Sequence, residues 1–239
     1  MLKGKLIVHV LDKSFGLGDF LRGTIFLAHF CKKHNMQFRL NISNHDISYA
    51  FNVVKEQVLN APTFIPNNEN ININSLTDKN YITTNKFYDK RLITDDIKQY
   101  IKSYLTIKPL YYDKVKQLFN VENYKVLHIR CTDENFTTDF EDPLLYDEIR
   151  KLNLINTIVI SNNNLLKQKL NKLFGFHYIN QPTVHTVNMT KNDIESTIID
   201  YIVLSKSSHT YCFSYYGHGS GFSEQCSFLH NVPYNVKCL

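Results

Sequence analysis

Three short apolar runs limit what this chain can fold into: KLIVHV at 5–10, VLHI at 126–129 and TIVI at 157–160. None alternates polar with apolar as a strand with one wet face does, so each reads as a parallel strand covered on both sides. Helical spacing follows each of them. Over 20–33, Leu21, Ile25 and Ala28 recur at helical intervals. Further helices are expected over 143–152, 165–174, 194–205 and 222–230, and between the runs over 95–105, behind Thr94, and over 111–119. Strands are expected at 37–42, 81–87, 177–179, 210–214 and 234–236, with loops over 60–74. Strands that alternate with helices imply an α/β fold with two Rossmann-like halves. The halves are expected over 1–115 and 116–239, with the boundary inside 108–123 around Pro109.

Three strand-to-helix turns carry polar or flexible residues. HIRCTD at 128–133 delivers His128, Arg130 and Asp133 at the end of a buried run. A strand end that offers a cation and a carboxylate suits the crevice where open α/β sheets bind anionic ligands. Arg130 presents a planar fork of donors that matches phosphate. An ion pair between Arg130 and Asp133 accounts for the same residues equally well. GLGD at 16–19 places Gly16 and Gly18 before a helix, the layout that turns backbone N–H groups toward phosphate. A tight turn with Asp19 as helix cap is the alternative. SYYGHGSGFS at 214–223 holds Gly217, Gly219 and Gly221, which allow positive φ and close backbone approach. Its Ser220 and Ser223 can cap the next helix or offer hydroxyls to a phosphate.

Taken in order, these turns resemble the fucosyltransferase superfamily that includes the α1,6-, α1,2- and protein O-fucosyltransferases. The resemblance rests on four stretches: a GLGN-type loop (Gly16 to Asp19), an HxRxxD strand end (His128 to Asp133), a D-x-x-x-L-S helix (Asp200 to Ser205) and an SGFS turn (Ser220 to Ser223). Most of it lies within 124–232. The resemblance implies a GT-B-like α/β architecture, two Rossmann-like domains facing across a cleft, with the nucleotide sugar held mainly by the C-terminal domain and the acceptor by the N-terminal one. It also implies GDP-fucose as donor, inversion at the anomeric carbon, and no metal or other cofactor. Arg130 would contact the diphosphate, and His128 and Asp200 the nucleoside, with Asp200 accepting the N1–H and N2–H of guanine. Ser220, Gly221, Phe222 and Ser223 would line the phosphates, and Gly16 and Gly18 would close over them. Asp133, the last residue of HxRxxD, is counted with the substrate-binding set.

This chemistry has a physical logic. Sugar transfer leaves charge on the departing phosphate, and fixed donors there stabilise the transition state. A carboxylate facing guanine selects GDP over UDP, because uracil has no matching donor pair. The acceptor hydroxyl needs a general base, for which Asp139, Glu134 and Glu141 are the candidates, with Asp139 ranked first. The chain departs from the family at Cys131, where a second basic residue or glycine is common, at Asn162, where an aspartate is usual, and at Asp19, where asparagine is.

Composition excludes other classes. A net charge of +5 without a Lys/Arg run gives no basic stripe for nucleic acid. Five dispersed cysteines show no zinc spacing and suit reduced thiols in the cytoplasm. No stretch approaches a membrane span, and the start of the chain reads as a first strand rather than a signal peptide. The resemblance implies as partners a nucleotide-sugar donor and a glycan or other hydroxyl acceptor. A degenerate GDP-sugar-binding module and a different Rossmann-type nucleotide enzyme are the alternatives.

Overall fold

The computed structural model describes residues 4–12, 15–52, 61–135, 137–139, 141–181 and 191–239. The chain divides into two compact units, Met1–Lys108 and Pro109–Leu239. The division precedes the expected 115/116 boundary because the helix at Pro109–Leu118 packs on a helix of the second unit.

The first unit holds a parallel sheet of β1 (Leu6–Val10), β2 (Gln37–Asn41), β3 (Thr63–Ile65) and β4 (Lys79–Thr84), in the order β2-β1-β4-β3. Its helices are α1 (Leu17–Lys33) and α2 (Asp95–Tyr104). Strand β3 lies inside the stretch expected to be loop; with Thr63 and Phe64 exposed, it shows no apolar signal, and pairing with β4 is what makes it a strand. Helix α1 buries Phe20, Leu21, Thr24, Ile25 and Ala28 at the expected spacing. Gly23 faces β4 so closely that a Cβ there would stand 1.7 Å from the Thr84 carbonyl oxygen. Only glycine admits that approach.

The second unit is a five-stranded parallel sheet of β5 (Lys125–Arg130), β6 (Thr157–Ser161), β7 (His177–Tyr178), β8 (His209–Ser214) and β9 (Tyr234–Cys238). Its helices are α3 (Pro109–Leu118), α4 (Pro143–Lys151), α5 (Asn164–Phe174), α6 (Lys191–Lys206) and α7 (Gly221–His230). The strand order is β7-β6-β5-β8-β9. From β5 the chain winds outward through β6 and β7, then returns to add β8 and β9 on the other side. The gap between the carboxyl ends of β5 and β8 is therefore a topological switch point, where open α/β sheets bind ligands.

Alternation along β5 sorts its side chains between two faces. Leu127, Ile129 and Cys131 join Leu145 and Ile149 of α4 and Leu166 and Leu170 of α5 in one core. On the opposite face, the Tyr124 hydroxyl donates to the Val203 carbonyl of α6, and His128 meets Ser223 and Phe222 of α7. Among the described residues, no helix is long and apolar enough to cross a membrane.

Candidate functional site

Arg130 ends β5 at the switch point, its guanidinium 5.2 Å from the Tyr216 ring centroid. A cation over an aromatic face is attracted by the ring quadrupole. The Asp133 backbone N–H donates to the Tyr216 hydroxyl at 3.1 Å, so one tyrosine braces both ends of the RCTD turn. Tyr216 also stacks on His218, with centroids 5.4 Å apart. The loop carrying both rings is held by buried Ser214. Its hydroxyl accepts the Tyr216 N–H at 3.1 Å and donates to the Gly219 carbonyl at 3.2 Å. Gly219 has φ +75, the left-handed conformation that glycine adopts without strain. Of the three glycines expected to allow positive φ, Gly219 is the one that uses it.

His128 is turned toward α7. It is 5% exposed, and its Nδ1 shares a 2.8 Å hydrogen bond with Ser223 Oγ. Burial, reinforced by the nearby charge of Arg130, lowers its pKa to about 3, so the ring is neutral near pH 7. Ser223 is fully buried and thus ties α7 to β5. Phe222 packs edge-on against His128 and tilted against Tyr201 of α6. Ser220 occupies the N-cap position of α7 but makes no side-chain cap bond. The first turn of α7 therefore has no side-chain cap from Ser220.

The two departures in this half of the chain have structural explanations. Cys131 points into the core against α4 and α5, so a second cation there would be buried rather than turned to a phosphate. Asn162 is a clamp: its Oδ1 accepts the Cys131 N–H at 2.8 Å and its Nδ2 donates to the Cys131 carbonyl at 2.9 Å. An aspartate makes only the first of these bonds when ionised. Asn163, fully buried, caps α5 through Leu166 N–H and donates to the carbonyls of Asn135 and Thr138. Two adjacent asparagines thus fix the loop that follows Arg130. The bonds of Asn162 and Asn163 to this loop and the role of Tyr216 were not expected from the sequence.

Asp139 belongs to that loop, and its carboxylate meets Lys169 of α5 at 2.6 Å. Glu141 meets the same lysine at 3.1 Å, while Glu134 is exposed. The structure therefore places Asp139 on the α4/α5 side, whereas Arg130 meets Tyr216 on the β8 side. Asp200 sits within α6. Burial raises its pKa to about 7 against the opposing charge of Lys167.

Three of the six buried side-chain polar atoms without a partner among the described residues lie just past adjacent strands. They are Thr132 Oγ1 after β5, Asn164 Oδ1 after β6 and Gln181 Oε1 after β7. Buried polar groups in folded proteins are paired, so exceptions gathered at one edge point to a ligand there. That edge is the carboxyl edge of the second sheet.

In the first unit, Gly16 and Gly18 follow β1, but the helix already begins at Leu17, so Gly18 is buried in its first turn. Gly16 is the N-cap residue, with φ −69 and ψ 154. Asp19 is not the cap: it lies inside the first turn and pairs with Arg22. A cavity of about 540 Å³ opens elsewhere in this unit, between α1, β2 and α2, and none of the motif residues lines it. Among the described residues, no three His, Cys, Asp or Glu side chains gather as a metal-ligand set.

No protein-family model and no curated protein sequence matches the chain. Solved structures do. The NodZ α-1,6-fucosyltransferase co-crystallised with GDP aligns at a TM-score of 0.59 and 10% identity, covering 95% of this chain and 93% of that one. The same enzyme soaked with GDP-fucose aligns at 0.58 and 11% identity, with 95% and 93% coverage. Fucosyltransferase NodZ from Bradyrhizobium aligns at 0.58 and 11% identity, with 95% and 94% coverage. The chain thus has a fucosyltransferase-like fold along nearly its whole length.

Proposed function

We propose that the chain is a glycosyltransferase that moves fucose from GDP-fucose to a hydroxyl of a glycan or other acceptor, with inversion and without a metal. The observation that carries this reading is Arg130 at the β5/β8 switch point, braced by Tyr216 beside the uncapped start of α7. The fold shared with a fucosyltransferase solved with GDP and with GDP-fucose supports it. So do the orphaned polar atoms along the same sheet edge.

In the reaction, the acceptor oxygen attacks the anomeric carbon, and the bond from that carbon to the β-phosphate oxygen breaks. The electron pair leaves with GDP. Arg130 and the first-turn amides of α7 stabilise the growing phosphate charge, while Asp200 holds the guanine edge. The acceptor proton passes to a carboxylate; Asp139 of the loop after β5 takes that step only if it leaves Lys169 and turns toward the side of Arg130. In this reading the first unit receives the acceptor, the part that the resemblance implies for it.

Titration calorimetry with GDP, GDP-fucose, UDP and NAD tests the reading, together with fucose release from GDP-fucose. Binding of GDP and GDP-fucose alone, lost in Arg130→Ala, is the expected result. Absence of any GDP response, with Arg130→Ala matching wild type for every ligand, overturns it. GDP binding without donor turnover makes the chain a binding module instead.

A further inference from the structure

The cavity of about 540 Å³ between α1, β2 and α2 falls within the range of small-molecule sites, roughly 300–1,000 Å³. It has no share in the motif turns: Ala28, on its α1 wall, stands about 15 Å along the helix past Gly18. Part of its lining is apolar, with Ala28, Met36, Phe38 and Ile97 each less than a tenth exposed. Two tyrosines of α2 join them. Tyr100 and Tyr104 meet edge to face, with centroids 5.2 Å apart and planes 73° apart, and Tyr100 is 41% exposed. They form a corner rather than a slot between parallel plates. The polar groups of the lining divide by pairing. Lys32 and Asp96 take each other at 2.6 Å, and Lys32 also donates to Thr94 at 3.2 Å. Gln37 and Arg39, both exposed, make no side-chain hydrogen bond or ion pair among the described residues. As alternate residues of β2 they share a face, so an amide and a guanidinium stand side by side. With Lys32 matched by Asp96, Arg39 is the uncompensated positive charge of the lining.

A sheet edge also invites an added peptide strand. Strand β2 is an edge strand. The Gln37 N–H and the Asn41 carbonyl bond β1 and the loop after it, so Phe38, one step out of phase, turns its main chain away from β1. Its carbonyl accepts the Tyr100 hydroxyl, which closes the edge to strand addition beside the cavity.

We propose that this cavity binds an acidic sugar: a pyranose whose C–H face packs in the Tyr100–Tyr104 corner, whose carboxylate or phosphate takes the guanidinium fork of Arg39, and whose hydroxyls bond the Gln37 amide. A pyranose carries C–H groups on a puckered ring face and hydroxyls around its rim. The ring face covers aromatic surface, and planar amide and guanidinium groups bond the rim in pairs. A neutral apolar ligand leaves Arg39 without a partner, and a bare anion leaves the two rings uncovered. The inference stands apart from the GDP reading, since no residue of this cavity enters it.

The test follows backbone amides of the full ¹⁵N-labelled chain by NMR during titration with glucuronate, glucose 6-phosphate, methyl glucoside, inorganic phosphate and AMP. The expected result is saturable shifts on α1, β2 and α2 with glucuronate or glucose 6-phosphate. Methyl glucoside and inorganic phosphate should bind at least about tenfold more weakly, as should both acidic sugars to Arg39→Gln. A hyaluronan tetrasaccharide separates the sources: tighter binding than glucuronate assigns the site to an acidic unit of a glycan, weaker binding to a free sugar, and either supports the inference. Methyl glucoside or inorganic phosphate binding as well as the acidic sugars, tighter binding of AMP, shifts confined to other elements, or Arg39→Gln matching wild type overturns it. If Arg39→Gln does not fold, the wild-type ligand series alone decides. GDP affinity, measured by calorimetry, should be equal in wild type and Arg39→Gln, and a parallel loss of GDP and sugar binding also overturns the inference. The titration reads this cavity whether or not the chain binds GDP, so failure of the GDP reading leaves it standing.

Discussion

Replacing Asn162 by aspartate changes one atom type at the clamp on Cys131 and tests whether that clamp holds the Arg130 loop. The side chain is 8% exposed, with Oδ1 2.8 Å from the Cys131 nitrogen and Nδ2 2.9 Å from its carbonyl oxygen. An ionised carboxylate keeps the first bond, loses the second and sets an oxygen against the carbonyl. A lost hydrogen bond of about 1 kcal/mol plus a buried carbonyl left unsatisfied, roughly 1–3 kcal/mol, predicts a loss of about 2–4 kcal/mol. For a unit of this size that lowers Tm by roughly 10 °C. Only the protonated carboxyl can donate to the carbonyl, so its folded pKa lies above the unfolded value of about 3.9. The stability it gives is full below the unfolded pKa and is lost as pH rises through the folded one. The deficit against wild type should therefore be larger at pH 8 than at pH 5. The chain has no tryptophan, so calorimetry or circular dichroism is the suitable probe. GDP affinity should fall in parallel at pH 8, because Arg130 adjoins the clamped residue. Equal melting temperatures at pH 8, or a deficit independent of pH, would refute the argument.

Three further outcomes follow from packing and hydrogen bonding. Gly23→Ala sets a Cβ against the Thr84 backbone oxygen and should destabilise the first unit by at least about 1–3 kcal/mol, seen as an early melting transition with the second unit unaffected. Ser223→Ala leaves the His128 ring without its 2.8 Å partner, and a loss of about 1–3 kcal/mol should appear in thermal melts between pH 6 and 8 with little pH dependence, since His128 is neutral throughout. Tyr216→Phe keeps the ring under Arg130 but loses the contact to the Asp133 amide, whereas Tyr216→Ala loses both. Calorimetry with GDP should show the alanine variant weaker than the phenylalanine variant by roughly 0.5–2 kcal/mol.

The sheets were legible because burial on both faces leaves an unbroken apolar run, as at 126–129 and 157–160, and the helices because their apolar spacing repeats. Strand β3 was not, since three residues with two side chains exposed carry no pattern of their own. At the site, Arg130 and Asp133 announce themselves as charges at a strand end. The bonds by which Asn162 and Asn163 hold the loop do not, because they reach main-chain groups 25 or more residues away in sequence. Cys131 illustrates a signal present but unread. It neighbours Arg130 in sequence, yet strand alternation turns it to the opposite face, where sulfur suits the core. Tyr216 stood inside a glycine-rich turn, and nothing in the spacing of that turn pairs it with an arginine some 86 residues earlier.

The bond between His128 and Ser223 has a consequence for how tightly an anion can be held. His128 is two residues from Arg130, and Ser223 lies in the first turn of α7, so one buried bond registers the guanidinium against the amides that would face the same phosphate. The conformational entropy of bringing these donors together is lost when the chain folds, before any ligand arrives. In the proposed reaction, binding would then immobilise few protein groups, and the donors would need little reorganisation as charge builds on the leaving phosphate. A variant that loosens this tie while keeping Arg130 should hold GDP less firmly through an entropic rather than an enthalpic loss.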